Sequence, residues 1–370
     1  MVIMAIDHIR DLMHAGALTQ DPLDFSTTNP TLFLTRWITH LCAPTFVFLS
    51  GCSAYLAYKK KDNLKYSRKF LLTRGIWLII LEFSIITFAV WWDVHFRFFL
   101  LQVIAAIGFG FIILSFLLKV KPRYLLFLGI LIVVGHDFLL TFFSPTSPVF
   151  LNILFNRGVT PLPTGKTMII AYPLIPWLGI MLCGFGAGPL FKMPQPVRKK
   201  YFLYLGISAI ALFLLLRVPN FYGDIAPWSS QKTATFTFLS LMNISKYPPS
   251  LLYTLIILGI MFIILFLTEG ANNFFTRILE VYGKVPMFYY LCHWYILHIT
   301  MFAIIYGEGF HTKDLFPSPT SFGRPTQPNG VSLPYIYLIW FCIVLSLYPL
   351  CKWYGKYRSN HPEKTWLNYF

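Results

Sequence analysis

Charge is what this chain has least of. Its 370 residues hold 14 Asp and Glu against 30 Lys and Arg, and charged residues make up only 12% of the sequence. Soluble domains average about 25% charged, so a water-soluble globular fold is excluded. Cysteine is sparse as well. Cys42, Cys52, Cys183, Cys292, Cys342 and Cys351 all lie in apolar runs without CxxC spacing, which excludes a disulfide framework or a zinc site. No His-x3-His pair offers two helical metal ligands, and no metal is expected. The sequence lacks GxGxxG, GxxxxGK[ST], HExxH and the nucleophile elbow, so the soluble nucleotide-binding, zincin and hydrolase signatures do not apply. There is no internal repeat and no soluble domain. The N-terminal run has no basic n-region and breaks into charge at Asp7, which argues against a cleaved signal peptide.

What is present is apolar: 56% hydrophobic and 18% aromatic residues, with mean hydropathy +0.63. Apolar runs of membrane length predict helices near 1–14, 31–58, 69–90, 98–118, 123–143, 168–190, 201–217, 249–267, 284–306 and 333–353. The fold class is therefore all-α, a polytopic membrane bundle of about ten transmembrane helices. Residues 1–370 are expected to form one domain with a short basic tail over 354–370. The first helix, with 14 residues or about 21 Å of rise, falls short of a ~30 Å hydrocarbon core. It reads as truncated.

The net charge of +16 sorts by side. Most basic residues fall in alternate connections and the tail: Lys59 to Arg74, Lys119 to Arg123, Lys192 to Lys200, Arg277 with Lys284, and Lys352 to Lys364. By the positive-inside rule that side is cytoplasmic, and both termini lie there. Topology explains the charge, and nucleic acid is excluded as a partner. The interleaved Lys59, Lys60, Lys61 and Arg68 read either as a loop touching anionic lipid or as a phosphate-binding rim.

Against this background Asp7-His8-Ile9-Arg10-Asp11-Leu12-Met13-His14 stands out. Ionisable groups at membrane depth cost at least ~2.5 kcal/mol each and normally face a cavity or a partner. At about 100° per residue, Asp7, Arg10, Asp11 and His14 share one helix face, with His8 about a quarter-turn away. Arg36 and His40 answer from the second helix, where Pro44 removes a backbone hydrogen bond and frees a carbonyl near His40. Further polar groups in apolar runs are Glu82, Gln102, the pair His136 and Asp137, and the late-helix Tyr289, His293 and His298. His293 and His298 point about 140° apart, so only one faces any single pocket. Proline-bearing outer segments 144–167 (with Pro145), 218–248 and 307–332 should cover a site or carry binding residues.

Imidazole, with an ordinary pKa near 6.5, suits general-base work. Asp7 or Asp11 beside His8 would fix its tautomer and stabilise the imidazolium. The bland reading of each histidine is a satisfied interhelical hydrogen bond.

Several stretches carry a family resemblance: Met4-Ala5-Ile6-Asp7-His8-Ile9-Arg10-Asp11, Thr35 to Pro44 with Phe46 to Gly51, Tyr172 to Gly179, Lys246 to Leu251, and Tyr282 to His293. The chain resembles the bacterial relatives of heparan-alpha-glucosaminide N-acetyltransferase, within the transmembrane acyltransferases. The resemblance implies acetyl transfer from cytosolic acetyl-CoA to an amino sugar or glycan across the membrane. It implies a histidine near the far face and a position for His293 on the late helix. The sequence departs from the lysosomal enzyme at His40, where that enzyme resembles Asp, and at Asp7, where it has Asn. Its far-side histidine corresponds to His8 or His14. An Asp-x-x-Arg-Gly-like opening usual in the family is absent, which agrees with a truncated first helix.

The expected catalytic set is His8, His14, Asp7, Asp11, His40 and His293. Arg10, Arg36, Gln102, Trp177 and Tyr289 are expected on substrate, and Lys59, Lys60, Lys61 and Arg68 on the donor. Expected partners are lipid, a small-molecule donor and a sugar acceptor, with homo-oligomerisation open, in a bacterial inner membrane. The rival reading is a transporter or export component that uses the same residues for proton coupling.

Overall fold

The structure, a computed structural model, describes residues 1–142, 147–163 and 165–369. Pro145 of the first outer segment and Phe370 of the tail lie outside them. Ten apolar helices occupy the ten predicted runs: α1 (Val2–Met13), α2 (Pro30–Lys61), α3 (Leu64–Trp91), α4 (Val103–Leu117), α5 (Pro122–Phe142), α6 (Leu174–Lys192), α7 (Gln195–Arg217), α8 (Leu251–Thr268), α9 (Pro286–Gly307) and α10 (Leu333–Asn360). Among the described residues, eight of these are long and apolar enough to cross a membrane, all but α1 and α4. The chain is a multi-pass helical membrane protein.

Two starts differ from the apolar runs for a local reason. The run at 98–118 opens with the strand Phe98–Leu101, and helix α4 begins only after Gln102. The run at 168–190 opens with the strand Thr167–Ile170, which pairs antiparallel with Gly158–Pro161 in the register Gly158 to Ile170. The Leu101 carbonyl accepts from Ala171 N (3.0 Å) and Tyr172 N (3.1 Å), joining the first strand to this hairpin. A short apolar strand and a helical turn look alike in sequence. Basic residues treated as loop, including Arg198, Lys199 and Lys200, belong to the first turns of α7.

Helix ends follow their capping residues. Asn29 accepts from Leu32 N with Pro30 in the first turn of α2, and Ser250 accepts from Tyr253 N at the start of α8. Within α2 the winding tightens to a 3-10 turn over Thr39–Leu41. Pro44 has no N–H to return to the His40 carbonyl, and the tightened turn sits where that bond is lost.

The chain divides into two compact units. One comprises residues 1–42, 84–98 and 271–370. There α1 packs against α9 and α10, and the Trp340 indole donates to the Val2 carbonyl (2.8 Å). Thr35 on α2 meets the Tyr337 hydroxyl on α10 at 2.6 Å. Tyr282, on the short helix Phe274–Lys284, donates to the Val344 carbonyl (2.8 Å).

The other unit comprises residues 43–83 and 99–270. Its helix pairs meet at facing glycines: Gly75 with Gly108, Gly129 with Gly179, and Gly206 with Gly259, where an added Cβ would press on the partner's backbone or side chain. Without a hydrophobic driving force between helices in lipid, such close backbone approach supplies the packing energy. Gly51 lies against α6 with the Met181 carbonyl in the space a Cβ would fill.

Buried polar groups in this second unit terminate helices. Glu82, fully buried in a π-helical turn over Glu82–Ile86, accepts from Ala105 N (2.9 Å) at the start of α4, with the Gln102 side chain beside it. Asp137 accepts from Leu251 N (2.8 Å) at the start of α8. Half-buried Arg68 also donates to the Ser115 carbonyl (3.1 Å) near the end of α4. Arg217 gathers the carbonyls of Ala226, Ser240 and Leu241 at 2.8 to 3.0 Å and orders the segment after α7.

A candidate active site on helices α1, α2 and α9

Helix α1 brings its ionisable residues into three different settings. Asp7 and Arg10 are buried, at 7% and 3% exposure. Arg10 donates to Asp7 at 3.0 Å and to Asp11 at 2.7 Å, and Arg36 of α2 closes on the other Asp7 oxygen. Arg36 also reaches the Thr39 hydroxyl (3.3 Å), which itself donates to the Arg36 carbonyl (2.6 Å). Two carboxylates thus balance two guanidinium groups, the condition under which buried charge is tolerated. The predicted shared face of Asp7, Arg10 and Asp11 exists. Arg10 and Arg36, expected on substrate, direct these nitrogens to the carboxylates.

His8 points elsewhere. Its Nδ1 lies 2.8 Å from His293 Nε2 on α9. Its ring stacks on Trp294, with centroids 4.3 Å apart and planes 23° apart. His293 is fully buried, and its Nδ1 contacts the Tyr290 carbonyl of its own helix. Tyr289 stacks on the His293 ring (5.6 Å, 15°), and its hydroxyl has no hydrogen-bond partner among the described residues. His8 thus meets an imidazole 285 positions away in sequence, a neighbour that the spacing along α1 does not reveal.

His14 caps the end of α1 under a third set of contacts. Ala15 N donates to the Val331 carbonyl (3.0 Å), and Val331 N to the Met13 carbonyl (2.8 Å). Buried Arg324 donates to the His14 carbonyl (3.0 Å) and grips Asn329 through its side chain and carbonyl, both at 2.8 Å. Gly330, at φ +96, passes so close that a Cβ would stand 2.5 Å from the Met13 carbonyl. Burial, then the positive charges of Arg10 and Arg324, hold the His14 imidazole below its ordinary pKa. The long segment between α9 and α10 is thus tied to the end of α1. It is tied to α3 and α9 as well: Trp91 donates to the Ser318 carbonyl (3.1 Å), and His298 to the Phe322 carbonyl (3.3 Å) while stacking on Trp92.

His40 is fully buried on the 3-10 turn, near the Trp37 ring (6.4 Å). The remaining expected residues belong to the other unit. Trp177 is fully buried against Tyr172 (4.6 Å), and its indole N–H has no partner among the described residues. Lys59, Lys60 and Lys61 form the exposed last turn of α2, with Lys59 over Tyr58 and Lys61 over Tyr66, each at 5.3 Å.

The sequence reading did not select Trp294 or Arg324. Trp294 adjoins His293, but nothing in an aromatic-rich run marks one ring as the face on which His8 rests. Arg324 sits in a proline-rich segment with no helical period, so its approach to residue 14 left no local signal.

The fold defines a polytopic membrane protein, and α1, α2 and α9 carry a cluster of ion pairs and imidazoles within it. The family described as heparan-alpha-glucosaminide N-acetyltransferase, catalytic, matches residues 1–218. That is more than half of the chain, and the chain belongs to this family. Membership places it among the transmembrane acyltransferases. Asp7, His8, Arg10, Asp11, His14, Arg36, His40, Gln102 and Trp177 lie within the match, and Tyr289 and His293 lie beyond it. A search of curated proteins gave no match.

Proposed function

We propose that the protein transfers an acetyl group from cytosolic acetyl-CoA to an amino sugar or glycan on the opposite side of the membrane, the whole chain acting as one acyltransferase domain. The observation that carries this reading is the His8 and His293 pair, an imidazole aligned at 2.8 Å beside a charge-balanced Asp7 cluster in a chain of this family. His8 takes a proton from the acceptor amine or hydroxyl as that group attacks the thioester carbonyl. The tetrahedral intermediate collapses, the carbon–sulfur bond breaks, and the proton passes from His8 to the departing thiolate. Positioned acid and base groups contribute about 10² to 10⁴ in rate, and alignment of donor and acceptor contributes further.

Asp7, Asp11, Arg10 and Arg36 hold α1 and α2 in register around His8. His14, held below its ordinary pKa by burial and then by the Arg10 and Arg324 charges, is the second candidate base. Lys59, Lys60 and Lys61 suit the phosphates of the donor, since ammonium groups over aromatic rings at a helix end attract anions without demanding one geometry. Their side is cytoplasmic by the positive-inside rule, with both termini there, in a bacterial inner membrane.

Acetyl-CoA turnover by the purified protein in detergent, read as free thiol with and without glucosamine-type acceptors, tests the reading. Acceptor-dependent thiol release that His8→Ala abolishes supports it, and loss in His14→Ala alone would move the base to His14. If acetyl-CoA neither turns over nor raises the thermal midpoint, as a ligand specific to the folded state must, acyl transfer is wrong and transport becomes the account.

A further inference from the structure

We propose that His293 is a positioning residue that sets the tautomer of His8, holding its proton on Nδ1 so that the lone pair of Nε2 is the basic one. This deepens the assignment of His8 as the base and rests on it.

The argument follows the protons. A backbone carbonyl has none to give, so His293 Nδ1, in contact with the Tyr290 carbonyl, must carry the hydrogen of that bond. A ring with one proton then presents its other nitrogen as an acceptor. His293 Nε2 is that acceptor, and His8 Nδ1, 2.8 Å away, must donate to it. The remaining atom, His8 Nε2, keeps its lone pair. Direction thus runs from main chain to His293 to His8, and each link excludes the opposite tautomer.

The rings are held as well as directed. The Tyr290 carbonyl is three residues from His293 in the same helix, so the anchor cannot move without unwinding α9. His293 is fully buried and stacked on Tyr289, and His8 is stacked on Trp294 at 4.3 Å, with the His8 and His293 ring planes 24° apart and their centroids 5.1 Å apart. A second imidazole does here what a carboxylate usually does for a catalytic histidine, but as a neutral group. It supplies direction without adding negative charge.

The proton balance is closed. When His8 Nε2 takes the acceptor's proton, His8 becomes an imidazolium whose Nδ1–H still donates to His293, now as a stronger charge-assisted bond. His293 cannot pass a proton onward, because its far side already gives one to a carbonyl. The proton leaves His8 by Nε2, toward the thiolate.

The test uses full-length protein carrying ring-¹⁵N histidine, with His8→Ala assigning the His8 signals. The expected spectrum has a protonated Nδ1 and an unprotonated Nε2 on His8, and a protonated Nδ1 on His293. His293→Leu should lower kcat by about 10²-fold or more with little change in KM, as misdirection of a base does. His293→Gln, whose carbonyl can accept from His8 Nδ1, should restore at least about tenfold of that loss. A His8 protonated on Nε2 in the wild type overturns the proposal, as does a folded His293→Gln no better than His293→Leu. The spectrum needs no turnover, so a correct tautomer in a protein that never consumes acetyl-CoA would sink the acyltransferase reading and leave the tautomer assignment standing.

Discussion

Polar side chains meet two kinds of partner in this protein, main chain and other side chains, and the two regions mix them differently. In the unit of residues 43–83 and 99–270 they bind main chain: Glu82 the Ala105 N–H, Asp137 the Leu251 N–H, Arg68 the Ser115 carbonyl, and Arg217 a group of carbonyls. Each satisfies a helix end or a turn that would otherwise be left without partners away from water. Around α1, α2 and α9 polar side chains also bind one another, Asp7 with Arg10 and Arg36, Asp11 with Arg10, and His8 with His293, alongside the main-chain contacts of His293, His298 and Arg324. Side chains that pair with side chains can change protonation or partner without unmaking a helix, which the proposed role of His8 requires.

That distinction is open to attack, beginning where the expected effect is largest. His8→Ala should reduce acetyl transfer by about 10² to 10⁴ while leaving the thermal midpoint close to wild type, measured on matched detergent samples. An equal loss in folded Glu82→Gln would erase the contrast. Arg36→Ala leaves Asp7 with Arg10 as its guanidinium partner, and breaking a buried pair costs up to about 3 to 5 kcal/mol. The denaturation midpoint should fall steeply and activity with it. Asp137→Ala removes one acceptor from the start of α8 and should cost about 1 to 3 kcal/mol, with transfer per folded molecule unchanged.

The smallest effect is a pH dependence. His14 titrates below its ordinary value, because of burial and then the Arg10 and Arg324 charges. Near pH 6.5 and just below, the unfolded chain therefore binds a proton the folded chain refuses, so stability falls as pH drops. At Asp93, burial pushes the pKa up. Hydrogen bonds from the Arg97 side chain and from the Arg97 and His95 N–H groups, with the Arg97 charge, outweigh it and leave the carboxyl low. Its contribution is present above about pH 3.9 and is lost as pH falls through the lower folded value. Arg97 is half exposed, so this step is slight. Thermal midpoints between pH 8 and 5 should decline, and His14→Gln should flatten the slope.

The ten apolar runs and the disturbance at Pro44 were legible from residue order. Each depends on local geometry or on the length needed to cross hydrocarbon. The starts at 98 and 168 were not, because four apolar residues satisfy a strand and a helical turn equally well. Within the site, the Asp7, Arg10 and Asp11 contacts followed from helical spacing. The direction of His8 did not, since both rotamers of an α1 side chain are locally acceptable.

The sequence by itself determined a helical membrane protein with charge gathered on α1, because hydropathy and helix period act over a few turns. Only the tertiary structure decided which neighbours that charge meets: His293 and Trp294 for His8, Arg36 for Asp7, and Arg324 for the end of α1. Those contacts join residues 29 to 310 positions apart. Spacing along the chain cannot encode such a meeting, and the packing of whole helices does.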